Sequence, residues 1–211
     1  MSTAASPAGR GGQPAGLPTV RGRRTRAAID AAARTVIARK GVLATTIADI
    51  AAEAGRSAGS FYNYYDSKEA MVRQWALRFR DEANERALSV TGHGLSDRER
   101  AHAAASAHWH TYRNRLAEVI SVSQLAMIND DFARYWAEIC EIPISFVAES
   151  VRRAQAQGYC PDDDPRLLAE AIVAMFNQFC YIQLGGARAV ESDDQACIQT
   201  LANIYYRAIY A

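Results

Sequence analysis

The sequence predicts an all-α protein of about nine helices, with a small three-helix unit at the N-terminal end and a larger helical body behind it. Three observations carry this reading. Apolar residues recur at spacings of three and four along most of the chain, capping residues and glycines punctuate those stripes, and no stretch shows the period-two alternation of a β-strand. With 211 residues, 49% of them apolar, the chain suffices for one large domain or a small one joined to a larger.

The elements follow in order. Residues 1–20 are rich in Pro, Gly, Ala and Ser and read as a flexible tail; they contain no apolar core of a secretory signal. Ile29, Ala33, Val36 and Ile37 form the first stripe, and Gly41 stops it. Thr46 stands three residues before Asp49, a capping-box start for a short helix striped by Ile47, Ile50, Ala51 and Ala54 and ended by Gly55. Ser57 can cap the third helix. Asp66 before Glu69 opens the fourth, with Val72, Trp75, Ala76 and Phe79 at core spacing. Ser96 with Glu99, Asn129–Asp130, Asp164–Pro165 and Ser192 mark further starts, while Gly92, Gly94, Gly158 and Gly185–Gly186 mark stops. Pro143 falls inside an apolar pattern and is expected to kink or split its helix.

Charge is unevenly spread. Residues 1–40 hold eight basic side chains, among them Arg10, against the single acid Asp30, a local charge of +7. The whole chain carries +1, so the remaining 171 residues carry −6. One end is anion-seeking and the other is an ordinary globular surface.

The basic end also carries the sequence's most specific pattern. A helix of about nine residues, a turn at Gly55–Arg56 and a second helix reproduce helix-turn-helix spacing. The stretch Gly55–Ala70, GRSAGSFYNYYDSKEA, places three small residues ahead of four aromatics. Small side chains let a helix approach DNA closely; Phe61 points into the core with Tyr64 and Tyr65, and Tyr62 points outward, where a phenol can meet a phosphate. Residues 45–72, TTIADIAAEAGRSAGSFYNYYDSKEAMV, closely resemble the DNA-binding signature of the TetR family of bacterial regulators. Two positions depart from it: Arg56 stands where an apolar residue is usual, and Tyr65 where Phe is usual.

The resemblance implies roles. Thr46 would bond a phosphate from the start of the second helix, the helix-capping Ser57 belongs to the DNA-binding set, Ala58 and Ser60 face base edges with Gly59 allowing close approach, and Tyr62, Asn63 and Lys68 contact the phosphate backbone. Arg21, Arg23 and Arg24 form an arm beside the first helix that adds phosphate or minor-groove contacts. The expected organisation is a tail over 1–20, a helix-turn-helix domain over 21–67, and a ligand-binding and dimerisation domain over 68–211. An operator duplex is the implied partner, bound by a homodimer in the cytoplasm.

The second half is richer in aromatics than a minimal core requires. Trp109, Tyr112, Phe132, Trp136, Phe146 and Phe176 are expected to line a pocket for an apolar small-molecule effector, by analogy with the family and because no charged cluster interrupts these positions. Leu168, Ile172, Leu201, Ile204 and Tyr205 on the last two helices are expected to pair two copies in a four-helix bundle. No apolar run reaches the length of a membrane span, so no membrane partner is expected. The four cysteines form no CxxC pair and read as free thiols. His93, His102, His108 and His110 lack metal-ligand spacing, and no catalytic motif is present, so neither cofactor nor enzymatic activity is expected. Two alternatives to a ligand-released repressor remain: a DNA-binding activator or architectural protein without a ligand, and a helical small-molecule binder with an incidental basic arm.

Overall fold

The computed structural model describes residues 20–89, 94–185 and 193–210, and these form eight α-helices without a strand. The predicted tail up to residue 19, the stops at Gly92 and Gly186, His93 and the Ser192 start lie outside the described residues. The head comprises α1 (Val20–Lys40), α2 (Ile47–Glu53) and α3 (Ala58–Tyr62); the body comprises α4 (Lys68–Ser89), α5 (Asp97–Ala126), α6 (Asp130–Gln155), α7 (Pro165–Leu184) and α8 (Asp194–Tyr210). Eight helices stand where about nine were expected, and α5 explains the difference. Arg115 inside it leaves the helical region (φ −135°, ψ 30°), so α5 is two helical segments in one.

Caps set most boundaries. Thr46 and Asp49 close a reciprocal capping box on α2, and Ser96 with Glu99 does the same for α5. Asn129 accepts from two backbone N–H groups of α6, and Asp164, followed by Pro165 in the first turn, does so for α7. Two expected starts shift by one residue. Ser67 rather than Asp66 holds the first turn of α4, accepting from the Ala70 N–H at 3.0 Å. Asp193 accepts from the Gln195 N–H at 2.9 Å at the start of α8. Pro143 does not split α6, which runs through it as one helix. The missing N–H leaves the Ile139 carbonyl without its i+4 donor.

In the head, Ile29, Ala33, Ile37, Val42, Ile50 and Phe61 are fully buried together and continue into Met71, Val72 and Trp75 of α4. In the body α5 is central, packed against α4, α6, α7 and α8, and it also touches α1. The head is thereby tied to the body twice, through α4 in sequence and through α5 in space. α7 is long and apolar enough by composition to cross a bilayer, unlike the expectation that no such segment exists. Its apolar residues divide three ways: Ala169 and Cys180 into the core, Ile172, Val173 and Phe176 onto a cavity, and Leu167 and Ile182 onto the surface.

Candidate DNA-binding face and effector cavity

The two helices of the head's reading unit are joined at Gly55, whose φ of +61° is the left-handed conformation that glycine adopts without cost. α3 is short, and Ser57 caps it by accepting from the Ser60 N–H at 3.4 Å. Ser57, Ala58, Gly59, Tyr62 and Asn63 are exposed, and Ser60 is half-buried with its hydroxyl 3.2 Å from that of Ser57. Tyr62 is 56% exposed while its neighbour Phe61 is 1% exposed, so the ring pattern divides as the sequence suggested. Tyr65 is buried and donates from its hydroxyl to Asp30 at 2.6 Å, and Arg26 donates to the same hydroxyl at 3.1 Å. The phenol that departs from the family's usual Phe is thus used to anchor α1.

Three expected contacts take a different form. The Thr46 hydroxyl donates to Asp49 at 2.6 Å and its backbone N–H goes to the same carboxylate at 2.8 Å, so both of its donors are spent on the cap. Lys68 is turned inward: its Nζ donates to the carbonyls of Val42 at 2.7 Å and Thr45 at 2.8 Å, leaving one N–H of three. It clamps the α1–α2 turn before it can meet DNA. Arg21, Arg23 and Arg24 are exposed but belong to the first turns of α1 itself rather than to a separate arm. Three cations at a helix N-terminus oppose the helix dipole, and no acid in that turn offsets them. A polyanion alongside would relieve that repulsion.

Beyond the head, a cavity of about 450 Å³ opens between α4, α5, α6, α7 and α8. Tyr112, Trp136, Phe146 and Phe176 line it as expected. Trp109 and Phe132 do not: each is at most 1% exposed and belongs to the core, Trp109 against Phe179 and Phe132 against Tyr135. Ile172 and Tyr205, expected at a dimer face, line the cavity instead, and Leu201 is fully buried. The reason is geometric: the apolar stripe of α8, with Cys197, Ile198, Leu201, Ala202, Tyr205 and Ile209 buried, turns inward onto its own protomer. Of the expected pairing residues Ile204 is exposed and Leu168 is half-buried. The outward apolar positions are Leu167, Tyr181 and Ile182 on α7 with Ile204 on α8.

His108, which sequence spacing left without a role, is a cavity residue. It stacks on Tyr112 with ring centroids 5.2 Å apart and meets the edge of Phe176 at 5.3 Å. Burial lowers its pKa to about 4, so it is a neutral imidazole. The only clue in sequence was its place one turn before Tyr112. Burial likewise raises Cys140 to about 11 and holds the Tyr112 phenol above its ordinary value. Among the described residues, no Asp, Glu, Lys or Arg lines this cavity.

A second, more polar hollow of about 580 Å³ lies between α1 and α5, lined by Arg34, His110, Asn114, Arg115 and Glu118 and sharing Ala107 and Thr111 with the apolar cavity. Arg34 donates to the buried Glu118 carboxylate at 2.7 Å and lies over the Trp75 ring, joining head to body.

A helix-turn-helix unit of α2 and α3 on a helical body with an apolar cavity defines the class: an all-helical protein with a helix-turn-helix head. Residues 29–74, which span the head and the start of α4, match the family described as "Bacterial regulatory proteins, tetR family". The HTH-type transcriptional repressor KstR2 of Rhodococcus jostii (strain RHA1) is 29% identical over 133 residues, 57% of this chain. The match spans 64% of that relative's length. Among solved structures, the ketosteroid transcriptional regulator KstR2 of Mycobacterium tuberculosis superposes with a TM-score of 0.69 at 22% identity, covering 91% of this chain and 97% of that one. A bacterial regulatory protein in the tetR family from Rhodococcus RHA1 gives a TM-score of 0.71 at 20% identity, over 88% and 97%. These likenesses establish the fold.

Proposed function

We propose that this chain is a transcriptional repressor of the bacterial cytoplasm that binds a palindromic operator as a homodimer and is released by an uncharged apolar effector. One observation carries the reading: a small-residue helix start, Ala58–Gly59–Ser60, with Ala58 and Gly59 exposed, sits on a head tied through α1 and α5 to a body with an apolar cavity. Tyr62 and the arginines of α1 supply phosphate contacts, and Ala58 and Ser60 meet base edges. The relative named as a repressor supports repression over activation, and the structure named for a ketosteroid regulator supports a bulky apolar effector. The exposed stripe of Leu167, Tyr181, Ile182 and Ile204 is the surface on which two copies would pair. No catalytic role is proposed.

The test has two arms. Genomic fragments captured by the purified protein are sequenced; an inverted repeat with half-sites about one helical turn apart is expected. Captured operator is then challenged with apolar compounds. Release supports the repressor reading, and an operator that no compound releases favours an activator or architectural protein.

A further inference from the structure

The cavity is apolar but not featureless, and each of α5, α6, α7 and α8 brings hydrogen-bonding groups to it. Seven side chains with hydrogen-bonding atoms reach its lining: His108, Thr111 and Tyr112 from α5, Trp136 and Cys140 from α6, Asn177 from α7 and Tyr205 from α8. Most are already engaged. The Thr111 hydroxyl donates to the Ala107 carbonyl at 2.8 Å, Tyr205 bonds Ser150, and Asn177 Nδ2 donates to the Cys140 sulfur at 3.8 Å. Asn177 also bonds His108, and that bond raises the imidazole's pKa, the sense expected when the ring N–H donates to the amide oxygen.

That arrangement fixes the imidazole. A neutral histidine carries one N–H, and it goes to Asn177. The other nitrogen, Nε2, is then an acceptor, and it is buried without a partner. A buried polar atom left unsatisfied is uncommon and costly. One turn along α5, the Tyr112 hydroxyl has no hydrogen-bond partner among the described residues, although the residue is 5% exposed. An acceptor and a phenol thus stand side by side, unused, in a cavity whose described lining carries no charge.

We propose that His108 and Tyr112 form a hydroxyl-recognition pair, and that the effector is an uncharged apolar molecule whose alcohol donates to His108 Nε2 and accepts from the Tyr112 phenol. This rests on the effector reading above and narrows it. A carboxylate is disfavoured because it brings no donor to Nε2 and would enter a cavity with no cation to balance it. A ketone satisfies Tyr112 but leaves Nε2 unpaired. A hydrocarbon satisfies neither. Sites built to bond one hydroxyl reject the analogue lacking it far more strongly than an apolar pocket rejects an extra methylene.

The test uses the full-length protein without DNA and two probe skeletons, a twelve-carbon chain and the androstane ring system. Dodecanol, dodecanone, dodecane and dodecanoate are titrated by quenching of tryptophan fluorescence, with Trp136 lining the site, and androstanol, androstanone and androstane likewise. On the skeleton that binds, the alcohol is expected to bind at least tenfold tighter than the hydrocarbon and tighter than the ketone or acid. Tyr112→Phe, which keeps the ring, and His108→Phe should each reduce that preference to about threefold or less. Equal binding of alcohol and hydrocarbon, tighter binding of the acid, survival of the preference in both variants, or no binding on either skeleton overturns the proposal. A protein that selects an operator yet shows no alcohol preference overturns this inference and leaves the repressor reading standing; alcohol binding without operator selection does the reverse.

Discussion

The side chain of Gln124 reaches from the end of α5 to the head, where its Oε1 accepts from the Val42 N–H at 3.0 Å, just beyond Gly41. Gly41 has a φ of +76°, and a Cβ there would lie 2.7 Å from the same oxygen. The turn that ends α1 is therefore shaped around a residue of the body. Gln124→Leu leaves a fully buried N–H unpaired and should cost about 1–3 kcal/mol in urea unfolding. Gly41→Ala forces a left-handed alanine into the Gln124 amide and should cost at least about 1 kcal/mol. If the turn also carries the effector signal, Gln124→Leu will bind operator but release it less in response to ligand. Undiminished release would place the coupling in α4 alone.

On the DNA face, residues that look alike in sequence should separate in effect. Tyr62→Ala should weaken binding to every DNA sequence and lower the slope of log affinity against log salt by much less than one unit, since a phenol displaces no counterion. Arg24→Ala should lower that slope by about one unit per half-site. Ala58→Val should change which sequence is preferred. Lys68→Ala should unfold the head more easily as well as weaken binding, because it removes the clamp on Val42 and Thr45. Salt titrations beside thermal melts distinguish these, and an unchanged melting temperature for Lys68→Ala would sink the clamp.

Pairing of two copies has a similar internal control. Ile204→Glu and Ile182→Lys change exposed side chains on α8 and α7, so they should give folded monomers with poor operator binding. Leu201→Glu buries a charge in the protomer's own core and should abolish folding instead. Light scattering with circular dichroism reads both. A folded dimer carrying both surface changes would move the interface elsewhere.

The contrast between Leu201 and Ile204 also marks what sequence could supply. Local signals were legible: the capping box at Thr46, the Ser57 cap, the Asp164–Pro165 start and the split of Phe61 inward from Tyr62 outward all depend on neighbours within four residues. What failed depends on neighbours far along the chain. Nothing near Lys68 announces that the carbonyls of Val42 and Thr45 will take its protons. Trp109 and Phe132 look like cavity residues until α5 and α7 are packed around them. The apolar stripes of α7 and α8 face inward or outward according to the helices they meet, which periodicity leaves open. His108 was invisible as a site residue because its chemistry comes from Asn177, 69 positions away.

That burial makes a last prediction about pH. His108 has a folded pKa of about 4 against an ordinary value of 6.5. Above about pH 6.5 it is neutral in the folded and unfolded chains alike and contributes nothing to the pH dependence. Between about pH 6.5 and 4 the unfolded chain takes up a proton that the folded chain refuses, so stability falls as pH drops, by up to about 1.4 kcal/mol per unit. Below about pH 4 the folded state protonates too and this slope ends. From pH 7 to pH 5 the loss should be about 2 kcal/mol. His108→Phe abolishes this component, while His102 and His110 are present in both proteins and cancel in the comparison. Urea midpoints for wild type and variant at pH 7 and pH 5 measure it. Parallel losses in the two proteins would mean that the imidazole is solvated and charged at pH 5, and a neutral acceptor on the cavity wall would then be untenable.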